Sequence, residues 1–408
     1  PDIVLFLADT FRADNLAAYG GDPAWTPNLN RFAQRAFVCA NARSNAAWTL
    51  PSVASLLTGF APGQHTAVEK ELQLPERIRT LAERLASAGY RTGAVTDAAF
   101  VSPNFGLDQG FELFRPNESK HWDLDWTLAR AREFLAADDG RPVFLLVHTY
   151  RAHMPYRVGA EEDSREFDTL QEHYQLLARK NAAGPDERRA LVAEAAPLYA
   201  PLYRAGVRDV DRGFGELLTE LERLGIAPAG VVLFTSDHGE ALGENDDFFH
   251  DGELWDSKLR VPLLLAGADF SAGKLAASAT LLDVAPTLAR LAGLAPDRDW
   301  LGQDLATVTA ERPALAFRLQ ETVQLALVEN GRKLFAHDLD GLELGLFEAA
   351  YELGPDPREE HALSGVEWAA ELARRNAALV RRARAGLVDP AGALIHPDVE
   401  KALKGIGY

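Results

Sequence analysis

The sequence predicts an α/β protein in which a large mixed, mostly parallel sheet is flanked by helices, with a small antiparallel α+β subdomain at the C-terminal end. Short, continuous apolar runs at Ile3–Ala8, Pro142–His148 and Gly230–Ser236 are typical of parallel strands buried on both faces. Amphipathic helical patterns lie between these runs. Beyond about residue 310 apolar and polar residues alternate, as in antiparallel strands. The sequence therefore predicts two domains, residues 1–310 and 311–408.

Composition and charge bear on the partners of this chain. Its 408 residues carry a net charge of −18, which argues against a nucleic-acid or anionic-membrane surface but allows a small anionic ester in a locally positive pocket. The apolar runs are far shorter than the roughly 20 residues of a spanning helix, so no membrane segment is expected. One cysteine, Cys39, gives no internal disulfide and leaves cytoplasm and periplasm open. Because the sequence opens directly on a strand, a targeting segment could precede it. Oligomeric state is also open.

The first strand ends at Asp9, and the next informative stretch is Ser44–Gly59, which reads S-N-A-A-W-T-L-P-S-V-A-S-L-L-T-G. Pro51 is favoured at the first position of a helix, and an apolar helical pattern follows it. Thr49 then lies just ahead of a helix N-terminus, where free backbone N–H groups and the dipole favour negative charge. Two interpretations remain open: Thr49 caps the helix, or its hydroxyl attacks a charged ester.

The middle of the chain repeats a strand–helix–strand rhythm. Pro75–Gly89 is predicted as an amphipathic helix, and the run at Pro142–His148 leads into a loop flanked by His148 and His153. Residues 164–224 are predicted to be mainly helical, with a break near Pro185. The strand at Gly230–Ser236 ends in Asp237-His238, and an acidic loop leads on to His250.

The last part of the chain carries a different pattern. Val261–Ala266 is predicted as a further strand and Asp283–Ala292 as a helix. Asn330-Gly331 between strand-like runs is a strong hairpin signal. Leu344–Ala349 is a candidate strand, and Val366–Ala385 is a predicted long helix.

Polar residues at the predicted strand ends form a candidate site. Since carboxyl ends of parallel strands meet at one edge of a sheet, Asp9, Asp237 and His238 should converge there with Thr49 and bind one divalent metal ion. The imidazole favours Zn²⁺, Mn²⁺ or Fe²⁺ over Ca²⁺, and a metal would lower the pKa of the Thr49 hydroxyl. His153 and His250 could stabilise charge on the transferred group or protonate the leaving group. Three further residues could support the site or touch substrate, with structural or surface roles equally open: His148, Lys258 and Asn45.

Seven ordered stretches carry a family resemblance: P-D-I-V-L-F-L-A-D-T-F-R-A-D-N-L, T-P-N-L, W-T-L-P-S-V-A-S-L-L-T-G, H-T-Y-R-A-H-M-P-Y, T-S-D-H-G-E-A-L-G-E, L-R-V-P-L-L-L and D-V-A-P-T-L. Over nearly its whole length, the chain resembles the sulfatase branch of the alkaline phosphatase superfamily. The resemblance implies an alkaline phosphatase-like sheet with a small C-terminal antiparallel domain. It also implies a metal held by Asp9, Asp237 and His238, a nucleophile at Thr49, and phosphate or sulfate contacts from His153 and His250.

Departures from that pattern suggest a subgroup. Sulfatases carry Cys or Ser at the start of C-x-P-x-R, which becomes formylglycine, whereas here the frame begins at Thr49 and has Val53 in place of the Arg. Thr10 replaces the second carboxylate of the usual Asp-Asp pair, and Asp237-His238 replaces Asp-Asn. These changes resemble the metallo-phosphodiesterases, phosphonate monoester hydrolases and phosphoethanolamine transferases of the superfamily.

The predicted function is a metal-dependent hydrolase of phosphate monoesters or diesters or of phosphonate monoesters, acting through a covalent phospho-Thr49 intermediate. The alternatives are a sulfatase that works without formylglycine, a phosphoethanolamine-type transferase and a non-catalytic binding protein. Asp209 and Asp211 read as helix-packing residues, so a single metal ion is expected, with Mn²⁺ or Zn²⁺ favoured over Ca²⁺. Loops at Asn104–Lys120, Tyr156–Asp168 and Glu240–Glu253 are expected to set specificity.

Overall fold

The computed structural model describes residues 1–117, 123–156, 175–176, 178–180, 183–227, 229–250, 252–320 and 322–385. In these residues the strands are β1 (Ile3–Ala8), β2 (Phe37–Arg43), β3 (Arg91–Thr96), β4 (Leu113–Pro116), β5 (Val143–Thr149), β6 (Val231–Thr235), β7 (Ala241–Leu242), β8 (Phe248–Phe249), β9 (Leu263–Gly267), β10 (Gly273–Thr280), β11 (Ala314–Leu319), β12 (Val323–Glu329), β13 (Arg332–Ala336) and β14 (Ala349–Glu352). The α-helices are α1 (Pro27–Ala33), α2 (Thr49–Thr58), α3 (Pro62–His65), α4 (Leu81–Ser87), α5 (Leu124–Ala136), α6 (Pro185–Arg223), α7 (Asp256–Leu259), α8 (Val284–Leu291) and α9 (Glu367–Ala383).

The central sheet has eight strands in the order β10-β2-β9-β6-β1-β5-β3-β4. Its strand pairs are parallel except where β9 runs antiparallel to β6 and to β2. The predicted fold class, a large mixed and mostly parallel sheet with flanking helices, is confirmed. Strands β5, β1 and β6 are immediate neighbours, so the three predicted apolar runs lie side by side.

The apolar runs form this sheet because alternate residues supply two different cores. In β1, Ile3, Leu5 and Leu7 belong to a core that includes residues of α2, α4 and α8. The intervening Val4, Phe6 and Ala8 belong to a core that includes residues of α1, α5 and α6 on the other side. In a strand that is buried on both faces, the residues directed to either side enter a core, which explains why the sequence is continuously apolar.

A second sheet of four antiparallel strands, in the order β11-β12-β13-β14, follows the central sheet in the chain. The hairpin predicted at Asn330-Gly331 joins β12 to β13, with Asn330 at φ 52° and Gly331 at φ 69°. The candidate strand at Leu344–Ala349 was wrong: Gly341–Leu344 is a short 3₁₀ helix, and the strand begins only at Ala349. The small antiparallel sheet is therefore confirmed, whereas the boundary at residue 310 stays a prediction.

Two predicted helix starts were wrong, one by two residues and one by six. Helix α2 begins at Thr49 rather than at Pro51, since a proline is tolerated anywhere in a first turn where its missing N–H has no partner. Helix α4 begins at Leu81 rather than near Pro75. Thr80 accepts a hydrogen bond from the Glu83 backbone, and the Glu83 carboxylate accepts one from the Thr80 backbone, so this capping box fixes the start.

One further difference concerns the length of a helix. The region predicted to be mainly helical, residues 164–224, contains one long helix, α6, which begins at Pro185, where the break was predicted, and includes Pro197 and Pro201. Part of the predicted specificity loops, residues 118–120, 157–168 and 251, lies outside the described residues, as do residues 386–408. Among the residues that the structure describes, no helix is long and apolar enough to cross a membrane.

Candidate active site

The candidate site lies at the carboxyl ends of the three central strands. Asp9 follows β1, His148 lies near the end of β5, and Asp237-His238 follow β6, so neighbouring strands bring these groups to one edge. The N-terminus of α2 brings Thr49 to the same place. All five side chains are at most 1% exposed.

Asp9, Asp237 and His238 form a compact group of possible metal ligands. One ligand atom from each lies within 4.8 Å of the others. His238 Nδ1 faces the Gly239 carbonyl at 2.8 Å, so this nitrogen donates and Nε2 offers a lone pair, 3.4 Å from Asp237 Oδ2. Such fixing of the second ring nitrogen is typical of metal-binding histidines.

The charge in this group lacks compensation from the protein. Asp9 Oδ1 and Asp237 Oδ2 are buried and have no hydrogen-bond partner in the described part of the chain. Burial raises the pKa of Asp9 well above its usual range, and the Asp237 charge raises it further. Buried orphan carboxylate oxygens are costly unless they meet a cation. The donor set therefore fits a divalent metal ion.

Thr49 directs its hydroxyl at this group. Its Oγ1 lies 3.0 Å from Asp9 Oδ2, to which it donates, and 3.5 Å from His238 Nε2. The residue before it, Trp48, occupies the cap position and makes no side-chain cap bond. Thr49 thus does not cap α2, and its hydroxyl is directed at the carboxylate beside it. The Tyr150 ring lies 4.7 Å from the His148 ring, centre to centre, and is fully buried.

His148 lies beside the metal-ligand group without joining it. Its Nε2 is 3.9 Å from Asp9 Oδ2, and neither ring nitrogen has a hydrogen-bond partner in the described ranges. Burial lowers the pKa of His148 to about 4, so the ring is neutral at physiological pH. A neutral imidazole has one N–H donor and one acceptor, and in His148 both lie beside Asp9 without a partner among the described residues.

His153 and His250 form a pair next to the metal-ligand group. Their Nε2 atoms are 3.2 Å apart, and the His250 ring lies 4.7 Å from the His238 ring centre to centre. His153 Nδ1 bonds the Met154 carbonyl, and His250 Nδ1 lies 3.1 Å from Glu240 Oε1. Burial raises the pKa of Glu240 to about 8. The His153–His250 pair thus lies beside His238, whose Nε2 is 3.5 Å from the Thr49 hydroxyl.

The other predicted residues lie in structural contacts. The Asn45 amide donates to the Leu315 carbonyl at 2.7 Å and accepts from the Leu282 N–H, which ties it to the second sheet. Lys258 is buried and bonds Asp247 Oδ2 at 2.6 Å. Asp209 pairs with Arg151, and Asp211 accepts from backbone N–H groups at the start of α1.

Sequence reasoning assigned no role to three residues of the site: Tyr150, Tyr156 and Glu240. Each lies within a quoted motif, T-Y-R-A-H-M-P-Y or D-H-G-E, but a tyrosine or glutamate in a motif does not reveal where its side chain is directed. The signal that could have found Glu240 is its position two residues after a predicted ligand.

Sequence comparisons with known proteins indicate one protein family. The family model described as Sulfatase matches residues 1–294. An ulvan-active sulfatase of Formosa agariphila is 27% identical over 360 residues, covering 78% of this chain and 68% of that protein. The multifunctional alkaline phosphatase superfamily protein PehA of Trinickia caryophylli is 25% identical over 408 residues, covering 78% of this chain and 76% of its own.

Solved structures share the fold. The phosphonate monoester hydrolase of Agrobacterium radiobacter superposes with a TM-score of 0.72 at 20% identity, covering 94% of this chain and 95% of that one. The structure of BT4656, in complex with its substrate D-glucosamine-2-N,6-O-disulfate, gives a TM-score of 0.74 at 19% identity and covers 96% and 99%. At such identities these two likenesses show a common fold alone.

Proposed function

This chain belongs to the sulfatase family, and we propose that within it the protein is a metal-dependent hydrolase of phosphate monoesters, phosphate diesters or phosphonate monoesters. Thr49 is the nucleophile, Asp9, Asp237, His238 and Thr49 hold one divalent metal ion, and Mn²⁺ or Zn²⁺ is preferred to Ca²⁺. The observation that carries the proposal is the Thr49 hydroxyl, 3.0 Å from Asp9 Oδ2 at the N-terminus of a buried helix.

The chemistry of the donor set supports this assignment. A divalent cation held by the two carboxylates and the imidazole would lower the pKa of the Thr49 hydroxyl and neutralise charge on the transferred group. The hydrogen bond from Thr49 to Asp9 directs the hydroxyl proton towards Asp9, which leaves a lone pair of Oγ1 available for attack on the ester. The first-turn N–H groups of α2 favour an anion at the same place.

The reaction then follows from the positions of the side chains. Thr49 Oγ1 attacks phosphorus as its proton passes to Asp9, and the bond to the leaving oxygen breaks. His153 and His250 stabilise the transferred oxygens or supply the proton that the leaving oxygen takes. Water then attacks phosphorus in phospho-Thr49 and gives a proton to the histidine that protonated the leaving oxygen. Asp9 returns its proton to Thr49 Oγ1 as the bond to phosphorus breaks, which releases phosphate or phosphonate and restores the hydroxyl.

Sulfate esters are the second candidate substrate, favoured by the names of several relatives, including the ulvan-active sulfatase. Thr49 cannot give the formylglycine aldehyde, because its Cβ carries a methyl group and oxidation would produce a ketone. A sulfo-threonine lacks the easy release that an aldehyde hydrate offers. A phosphorus ester, by contrast, leaves a phospho-enzyme that water can attack at phosphorus.

Hydrolysis of four nitrophenyl esters tests the proposal: the phosphate, the bis-phosphate, the phenylphosphonate and the sulfate. Metal-stripped enzyme should regain activity on a phosphorus ester with Mn²⁺ or Zn²⁺, each added singly beside Ca²⁺. Thr49→Ala should lower turnover on the order of 10⁴-fold or more. Thr49→Ser is the matched control, since it keeps the hydroxyl and should lose no more than about 100-fold.

Acid quenching during turnover adds a direct test of the intermediate. We expect a phosphate or phosphonate adduct on the peptide that contains Thr49, identified by accurate mass, and none in Thr49→Ala. Sulfate turnover above phosphorus-ester turnover, with a sulfo adduct on Thr49, would replace this proposal with a sulfatase.

A further inference from the structure

We propose that Ser236 is the positioning residue that joins the two metal-ligand segments, so that Asp9 and Asp237-His238 keep their places before a metal ion binds. Tyr203, from helix α6, supports the turn that follows Asp9. This inference rests on the proposed function, which assigns the metal ion to these ligands. It gives a role to two hydroxyl groups that lie outside the metal-ligand group.

The proposed ligands lie just beyond the paired part of their strands. The ladder between β1 and β6 ends at the pair Leu7 and Thr235. Asp9 and Asp237-His238 follow that pair, so the regular bonds between these two strands do not reach them. Buried backbone groups outside a ladder need other partners. The relative position of the two ligand segments therefore depends on bonds that the sheet does not supply.

Ser236 supplies one such bond to each segment. Its Oγ accepts from the Phe11 N–H at 2.8 Å and donates to the His238 carbonyl at 2.6 Å, and the side chain is fully buried. Another link, from the Thr10 N–H to Asp237 Oδ1, is longer at 3.3 Å and orients the carboxylate rather than the backbone. Loss of the Ser236 hydroxyl would thus leave a buried backbone group without this partner in both segments.

The turn that follows Asp9 needs such support because its backbone is strained. Thr10 has φ 56°, a left-handed conformation that is an outlier for a β-branched residue. Such a conformation persists only where the surrounding contacts enforce it. The Tyr203 hydroxyl donates to the Thr10 carbonyl at 2.8 Å and accepts from the Arg12 N–H at 3.0 Å. The Tyr203 and Ser236 hydroxyls together therefore hold the backbone directly after the first ligand.

Zinc affinity of Ser236→Ala is the first measurement, made by competition with a chromogenic chelator. Affinity should fall about 10- to 100-fold, as is typical when a group that orients a metal ligand is lost. Thr287→Val is the matched control, because its buried hydroxyl also donates to a carbonyl, that of Asp283 at 2.6 Å, and accepts from an N–H, that of Leu305 at 2.9 Å. This variant loses the same kind of bonds outside the proposed site and should keep wild-type zinc affinity.

The visible spectrum of the Co²⁺-loaded protein reports the geometry of the ligands. It should change in Ser236→Ala and stay unchanged in Thr287→Val, because only the first substitution releases a ligand segment. Wild-type zinc affinity in Ser236→Ala, or an equal loss in Thr287→Val, would overturn the inference. If wild type binds no zinc, the proposed ligand set and this inference are overturned together.

Hydrogen–deuterium exchange in the metal-free protein tests the contact without zinc. The peptide that contains Phe11 should exchange about 10-fold faster in Ser236→Ala than in wild type, because its N–H loses a buried acceptor. Unchanged exchange would also overturn the inference. None of these measurements requires turnover, so they still decide the role of Ser236 if wild type hydrolyses no ester and the proposed function fails. If Ser236→Ala does not fold, Tyr203→Phe carries the same measurements.

Discussion

At the scale of single residues, the two buried aspartates of the proposed metal site each have one carboxylate oxygen that the described part of the protein does not satisfy. Asp237 uses Oδ1 to accept from the backbone N–H groups of Thr10 and His238, and its Oδ2 has no partner among the described residues. Asp9 keeps Oδ1 equally unused. Such uncompensated charges oppose folding of the metal-free protein.

Asp237→Asn tests this conflict between stability and metal binding. The amide keeps the acceptor at Oδ1 and removes the unpaired charge. The metal-free variant should therefore unfold at the same temperature as wild type or higher. Its affinity for Zn²⁺ or Mn²⁺ should fall at least about 100-fold. Thermal unfolding with and without metal measures both effects, since a ligand that binds only the folded state stabilises it by RT ln(1 + [L]/Kd).

Asp209→Asn is the matched control for that comparison. Asp209 pairs with Arg151 outside the proposed site and should leave the metal-dependent rise in unfolding temperature unchanged. A similar loss of metal affinity in both variants would contradict the assignment of Asp237, and would also contradict the expectation that a single metal ion binds.

At the scale of elements, helix α2 is held in place by a buried histidine. His65 lies in α3, and its Nδ1 accepts from the Ala67 N–H at 3.1 Å. Its Nε2 faces the Pro51 carbonyl at 3.2 Å and the Ser55 hydroxyl at 3.1 Å. Burial lowers the pKa of His65 to about 3. The ring that supports helix α2, which begins at Thr49, is therefore neutral across the physiological range.

His65 makes stability depend on pH with a definite sign. Above the unfolded-state pKa near 6.5 the ring is neutral in both states, so its contribution is fully present. As pH falls from about 6.5 toward 3, only the unfolded chain takes up the proton, and stability falls by up to about 1.4 kcal/mol per pH unit. His65→Leu should be less stable at pH 7.5 but should lose less on going to pH 5.

Urea unfolding of both proteins at pH 7.5, 6 and 5 measures this prediction. The difference between the two slopes reports His65, because His148 and His153 also have lowered pKa values and act in wild type and variant alike. Equal slopes in the two proteins would show that His65 does not set the pH dependence.

At the scale of the whole molecule, a buried ionic network joins the two sheets. Arg43 in β2 bonds Asp256 through two nitrogens, at 3.0 and 2.7 Å. Lys333 in β13 contacts Asp256 at 3.4 Å and Glu359 at 2.5 Å, and it donates to the Leu254 carbonyl. Arg43 and Lys333 hold the pKa of Asp256 well below its usual range. The charges compensate one another only while the sheets stay together.

Lys333→Met should be strongly destabilising, because it leaves Glu359 buried beside Asp256 without its cation. Removal of one partner of a buried pair typically costs about 3–5 kcal/mol. The double variant Lys333→Met with Glu359→Gln should recover part of that loss, since it removes the orphaned charge. Urea unfolding of the two variants measures the difference, and a double variant less stable than the single one would contradict the role of charge compensation.

The sequence predicted some features of the fold more accurately than others. Local signals were sufficient for the strands at Ile3–Ala8 and Val143–Thr149 and for the Asn330-Gly331 hairpin, because hydrophobic period and turn chemistry are properties of adjacent residues. The predicted starts of the helices were less accurate. The capping box at Thr80 outweighed the apolar pattern that began at Pro75, and the hydrogen bonds that decide such a start are made by a few atoms.

The sequence by itself determined the fold class, the family and the edge of the sheet where Asp9, His148 and Asp237-His238 meet, because parallel strands place their carboxyl ends together. Only the tertiary structure decided how the side chains are used. Asn45 bonds Leu315, and His250 faces His153 across 97 residues of chain, with Glu240 on its other nitrogen. Such directions depend on packing between distant segments, which no local pattern in the chain encodes.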